Sequence, residues 1–146
     1  MIAYFDTSAI IPLIISEPSS DRCNRVWNES SRVVSVRLLY PEARAALAKA
    51  ERMGRISAAQ RIAAIVELET IITMVDHIEV TEALAHRAGE LAQSHGLRGY
   101  DAVHLAGASA VADSDVVLVT GDSDLANAAN SIGIAVSITA MGLKNE

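Results

Sequence analysis

The chain has a single cysteine, Cys23, and so cannot close an internal disulfide. That suits a reducing compartment and leaves stability to the core. Aromatic residues are scarce at 3%, although 51% of the residues are hydrophobic, so the core must be built from Ala, Val, Ile and Leu. No apolar run approaches the roughly 18 residues of a membrane span. No Pro/Gly/Ser-rich linker, low-complexity run or internal repeat divides the 146 residues, and the expectation is one domain over 1–146. Met-Ile-Ala-Tyr-Phe-Asp at the start lacks the basic region and cleavage site of a signal peptide, so the expected location is the cytoplasm. Lysine is absent between Lys49 and Lys144, and the formal net charge is −6. A sequence-independent nucleic-acid binder is normally basic, so this balance taken alone argues against nucleic acid. The objection weakens if several acids hold divalent cations, which reverse the local sign.

Strand and helix signals alternate along the chain. Short apolar or β-branched runs at Ile2–Phe5, Val33–Val36, Val75–Val80, Val116–Val119 and Ile134–Ile138 read as strands. Helical spacing covers Thr7–Ile15, with Thr7 or Ser8 as cap, then Ser19–Glu29, Leu38–Met53 and Ser57–Thr73. Further helices are expected from Thr81 to Gly96, at Asp101–Ala112 and at Ser123–Ser131. Strands alternating with helices imply a mostly parallel sheet of about five strands, covered on both faces. Val-Val-Leu-Val at 116–119 suits a strand buried on both sides. In such α/β folds, sites form at the carboxyl ends of the strands.

Four acids fall where elements turn toward one end of that fold. They are Asp6 after Ile-Ala-Tyr-Phe, Glu42 in Tyr-Pro-Glu-Ala-Arg, Asp101 in Gly-Tyr-Asp-Ala-Val-His, and Asp122 after Val-Val-Leu-Val-Thr-Gly. None of the four motifs contains a lysine. Two carboxylates about 4 Å apart repel by roughly 4 kcal/mol at an effective dielectric of about 20. If the fold gathers the four acids, cations must occupy the nest, which points to Mg²⁺ or Mn²⁺ and to phosphate chemistry. Each acid also has a plainer reading. Asp6, Asp101 and Asp122 can be helix N-caps, and Glu42 can be a solvated residue favoured by a helix dipole.

Phe-Asp-Thr-Ser-Ala-Ile, Pro-Glu-Ala-Arg-Ala-Ala-Leu, Tyr-Asp-Ala-Val-His-Leu-Ala and Val-Thr-Gly-Asp-Ser-Asp-Leu resemble the four acidic motifs of PIN-domain ribonucleases. Their spacing is similar to that of VapC-type toxins of toxin–antitoxin modules, from Met1 to about Ile138. The resemblance implies a three-layer α/β/α fold and a Mg²⁺-dependent endoribonuclease, held inactive by a cognate antitoxin. It implies that Asp6, Glu42, Asp101 and Asp122 are the metal-binding and catalytic acids, with Asp6 and Asp101 as direct ligands. Ser8 and Thr120 match hydroxyl positions beside them, and Asp124 is a possible helper. The implied partners are RNA, an antitoxin chain, and either a second copy or a toxin–antitoxin hetero-oligomer. Pro41 departs mildly from the pattern and is expected to push Tyr40 out of helical geometry.

The residue types suit the implied chemistry. Mg²⁺ takes oxygen ligands, keeps several waters, and is held by one or two carboxylates plus substrate phosphates. No Cys/His set has zinc spacing. His104, three residues after Asp101, is either a hydrogen-bond donor behind the site or a packed histidine. His77, His86 and His95 read as surface residues, and Cys23 with Trp27 as core packing. Arg37, Arg44 and Arg98 flank acidic motifs and could meet RNA phosphates. The Ser57–Thr73 helix is apolar on more than one face, which suits deep burial or a groove for an antitoxin helix. Two other classes remain in view. A non-catalytic RNA- or protein-binding module of the same fold would not need all four acids together. A receiver or Asp-x-Asp phosphatase fails at Thr7, at Ser8 and at the missing late lysine.

Overall fold

The computed structural model describes residues 1–112 and 115–139. Five strands, β1 (Ile2–Phe5), β2 (Arg32–Val36), β3 (Asp76–Ile78), β4 (Val116–Thr120) and β5 (Ala135–Ile138), form one sheet in the order β3-β2-β1-β4-β5. Every pairing is parallel. The helices are α1 (Thr7–Ile14), α2 (Ser20–Glu29), α3 (Leu39–Arg52), α4 (Ala58–Met74), α5 (Glu82–His95), α6 (Gly99–Ala110) and α7 (Ser123–Ser131).

Side-chain alternation along the strands divides the interior into two cores. Ala3, Phe5, Val33 and Val119 join α1 to α4 on one face of the sheet. Tyr4, Val34, Val36 and Leu118 join α5 to α7 on the other. This is the expected three-layer architecture, with period-two strands between two helical layers. Leu47 and Leu68 on one side and Leu105 on the other are fully buried. Truncating any of them to alanine costs about 2–5 kcal/mol. Phe5 and Trp27 meet edge to face, with centroids 5.6 Å apart, and Cys23 is buried in the same cluster.

Several local expectations are revised. Asp6 caps α1, rather than Thr7 or Ser8, because its carboxylate accepts from the Ala9 amide. Helix α6 starts at Gly99, so Asp101 sits in its first turn instead of capping it. Tyr40 is helical, since α3 begins at Leu39. Pro41 is tolerated because its missing N–H belongs to the first turn, where amides have no intrahelical partner. Strand β3 spans only three residues, because its ladder ends where β2 ends, at Val36 opposite Ile78. Deep burial of α4 does not occur. Only Ala64 and Leu68 are buried, while Ile62 and Val66 are 57% and 65% exposed. Among the described residues, no helix is long and apolar enough to cross a membrane.

Candidate active site

The sheet order creates a switch point between β1 and β4, whose following elements diverge to opposite edges of the sheet. Asp6 follows β1 directly, and Asp122 follows β4 by two residues. Glu42 lies in the first turn of α3 and Asp101 in the first turn of α6. Four helix N-termini, those of α1, α3, α6 and α7, thus bring an acid to one place. Their partial positive charges favour the carboxylates by about 0.3–1 kcal/mol each. All four acids line one open cavity of about 450 Å³, together with Thr7, Ser8, Arg98, Tyr100 and His104.

Asp6 is the innermost acid, 4% exposed. Its Oδ1 accepts from Ser8 Oγ at 2.7 Å and from the Ala9 amide at 3.1 Å, and its Oδ2 accepts from Thr120 Oγ1 at 2.5 Å. The two hydroxyls are fixed in turn. Ser8 Oγ accepts from the Gly121 amide at 2.8 Å, and Thr120 Oγ1 from the Asp122 amide at 3.0 Å. Burial pushes the Asp6 carboxyl above its ordinary value, opposed by the electrostatic influence of His104 and by the bonds from Thr120, Ser8 and Ala9. Asp122 divides its oxygens. Oδ1 caps α7 by accepting from the Asp124 and Leu125 amides, while Oδ2 lies 3.8 Å from Arg98.

Glu42 is pinned by one oxygen. Oε1 accepts from Thr7 Oγ1 at 2.8 Å and from His104 Nε2 at 2.6 Å. Among the described residues, nothing donates to its Oε2. Asp101 accepts from Arg98 Nε at 3.0 Å. The site therefore does hold a protein cation, placed between Asp101 and Asp122. Arg98 comes from the residue ahead of α6, just outside the acidic motif, and also stacks on Tyr100 with its carbon 5.0 Å from the ring centroid.

Asp124 does not reach the cavity. Its amide bonds Asp122, while its side chain lines a separate hollow with His95 and Asn127. Arg37 pairs with Glu79 at the sheet edge, and Arg44 donates to the Tyr40 hydroxyl at 2.8 Å beside a neighbouring cavity on α3 and α4. Of those three arginines only Arg98 lines the acidic cavity. His104 is both packed and a donor, at 2% exposure. His86 is exposed, but His77 and His95 are half-buried, which revises their reading as surface residues. Sequence reasoning missed Tyr4 and Thr7 as parts of the site. Tyr4 carried a signal, since a phenol in an otherwise apolar buried strand needs a hydrogen-bond partner. Thr7 gave none beyond its place after Asp6.

Among the described residues, no three His, Cys, Asp or Glu side chains close around one point as a ready-made metal cage. An all-oxygen pocket of separated carboxylates, bridged by a guanidinium standing where a cation is wanted, fits a hard ion that keeps most of its waters. It does not fit zinc, which wants four tight ligands.

Comparison with known proteins bears on the family and the fold. Residues 3–131 match the PIN domain family. Ribonuclease VapC49 of Mycobacterium tuberculosis strain H37Rv is 37% identical over 136 residues, covering 93% of this chain and 94% of that protein. Two solved structures share the fold. The first is M. tuberculosis VapC20, described as a sarcin-ricin loop cleaving toxin, with a TM-score of 0.66, 19% identity, and 91% and 96% of the two chains covered. The second is a toxin–antitoxin complex from Klebsiella pneumoniae, with a TM-score of 0.61, 18% identity, and 94% and 97% covered. The chain is a PIN-domain protein of the VapC type.

Proposed function

We propose that this protein is a divalent-metal-dependent endoribonuclease and the toxin of a VapBC-type pair, with Asp6, Glu42, Asp101 and Asp122 as its working acids. The observation that carries the reading is the arrival of four carboxylates from four separate elements in one open cavity, with Arg98 among them. A capping role accounts for Asp6 and Asp122 but leaves Glu42 and Asp101 unexplained. Similarity to a named VapC ribonuclease over nearly the whole chain supports the substrate class. The named toxin–antitoxin complex among its structural relatives supports an antitoxin partner.

When bound, Mg²⁺ or Mn²⁺ supplies an acidified water and charge stabilisation for the departing oxygen. The residues divide the remaining work. Asp6, held by Ser8 and Thr120, and Asp101 offer the direct oxygen ligands. Glu42 and Asp122 line the cavity, and among the described residues Glu42 Oε2 and Asp122 Oδ2 accept no hydrogen bond, so they can complete the shell or accept a proton from the attacking water. Arg98 balances Asp101 and Asp122 and can swing to a substrate phosphate. Water adds to phosphorus, and the 3′-oxygen leaves with a proton. The products are a 5′-phosphate and a 3′-hydroxyl.

Incubating RNA with the purified protein, with and without EDTA, and analysing the new ends tests this reading. Cleavage lost in EDTA, restored by Mg²⁺ or Mn²⁺ and leaving 5′-phosphates is the expected result. Terminal 2′,3′-cyclic phosphates, or full activity in EDTA, overturn it.

A further inference from the structure

One polar chain runs from inside the fold to the cavity and is not used by the mechanism above. Both ring nitrogens of His104 are engaged. Nδ1 lies 2.9 Å from the Tyr4 hydroxyl, and Nε2 lies 2.6 Å from Glu42 Oε1. An ionised carboxylate only accepts, so Nε2 carries the proton in that bond. The bond exists whether the ring is neutral or charged. With the proton of a neutral ring on Nε2, Nδ1 is an acceptor, and the Tyr4 hydroxyl donates to it. Gly107, one turn after His104 on α6, makes this approach possible. A Cβ there would meet Val36 Cγ1 at 2.5 Å and the Tyr4 hydroxyl oxygen at 2.9 Å. Such distances force a shift, so glycine is what lets α6 lie this close to β1 and β2.

We propose that His104, oriented by Tyr4, is a positioning residue that with Thr7 occupies Glu42 Oε1 and so turns Oε2 toward the cation-binding cavity. A glutamate free to rotate would offer either oxygen, or both, at a site that wants one in a fixed place. Groups that orient metal ligands from behind typically matter by about 10–100-fold in metal affinity or activity. The inference rests on the metal-dependent reading of the cavity.

The test compares wild type with His104→Phe, His104→Gln and Tyr4→Phe, and compares Glu42→Ala with Glu42→Ala/His104→Phe. Two readouts are taken: the Mg²⁺ concentration at half-maximal thermal stabilisation, and kcat and KM on RNA. For His104→Phe the Mg²⁺ midpoint should rise about 10–100-fold, and kcat should fall with KM for RNA unchanged. His104→Gln keeps an N–H for Glu42 and should stay within about 3-fold of wild type. Tyr4→Phe frees the ring without removing its donor and should shift the midpoint about 3-fold. On the Glu42→Ala background, His104→Phe should change nothing further, because its partner is gone.

A wild-type midpoint in His104→Phe overturns the proposal, and so does an equal loss on the Glu42→Ala background. If His104→Phe does not fold, Tyr4→Phe decides, and a wild-type midpoint there overturns the proposal. If the wild type itself shows neither Mg²⁺ stabilisation nor cleavage, the reading of the cavity falls and takes this inference with it. If the wild type responds and only the His104 and Tyr4 variants match it, the positioning role alone is lost.

Discussion

The two halves of the acidic cavity are built on opposite plans. On the inner side, Asp6 accepts three hydrogen bonds, from Ser8, Ala9 and Thr120, and Glu42 two, from Thr7 and His104, and several of these partners are held by others. On the outer side, Arg98 is the one cation among the described residues that pairs with Asp101 and Asp122, and its side chain is 67% exposed. The inner half is fixed before any cation or substrate arrives. The outer half is balanced by a long, solvated side chain. The difference lies in the partners rather than in the burial of the acids, since the Asp101 side chain is 14% exposed and that of Glu42 20%.

The sharpest way to break this comparison is at Asp6. Asp6→Asn keeps the α1 cap, because asparagine caps about as well as aspartate, so the protein should fold with near wild-type stability. Activity should nonetheless fall on the order of 10²–10³-fold, as when a preorganised electrostatic group is removed. Mg²⁺ should then no longer raise the melting temperature, as linkage requires of a ligand that binds only the folded state. A variant that keeps both responses would reduce Asp6 to a cap.

Arg98→Ala probes the outer half. The variant should bind Mg²⁺ several-fold more tightly than wild type by calorimetry, because the competing guanidinium is gone. RNA binding should weaken in the same variant, because a phosphate contact is lost. Unchanged Mg²⁺ affinity would mean that Arg98 is remote from the ion, and the two halves would then differ less than their geometry suggests.

The buried charge of Asp6 has its own signature in the metal-free protein. Its carboxyl is raised from the ordinary value of 3.8 by burial. Between the ordinary and the raised value the folded state binds more protons than the unfolded chain, so stability falls as pH rises through that window. Denaturant titrations across the acidic range should show this decline in wild type and its loss in Asp6→Asn. Saturating Mg²⁺ should flatten the wild-type profile.

The smallest effect is expected far from the cavity, on α4. Ile62 and Val66 are exposed, whereas Ile65, Ile71 and Ile72 pack against the core. Val66→Asp should therefore change stability by no more than about 0.5 kcal/mol. It should still weaken co-purification with an antitoxin if that face receives the partner. Ile65→Asp and Ile72→Asp are poor probes of the partner, because both disturb packed side chains.

Much of this molecule was legible in its sequence because the signals were local. The strand at 116–119 and the helix at 123–131 follow from apolar runs, caps and stops, and each boundary falls within a residue or two of the structure. The four acids were legible because each follows a strand or opens a helix, and the carboxyl edge of a parallel sheet is one place. Helix α4 shows the limit. Its capping box, in which Ser57 and Gln60 bond each other's backbone amides, is local, while its exposed apolar face depends on what packs against it.

The sequence by itself determined the alternation of strands and helices, the aliphatic cores and the identity of the four acids. Only the tertiary structure decided how those acids are held. Tyr4 and His104 are 100 residues apart, and His104 and Glu42 are separated by 62, so no periodicity could pair them. Asp6 meets Thr120 because β1 and β4 are neighbours in the sheet, and Gly107 permits the close approach of α6. Arg98 is the counterion of Asp101 and Asp122 because α6 and α7 begin at the same edge of the sheet. Side-chain chemistry is written locally, but the distance between two charges is set by how the layers stack.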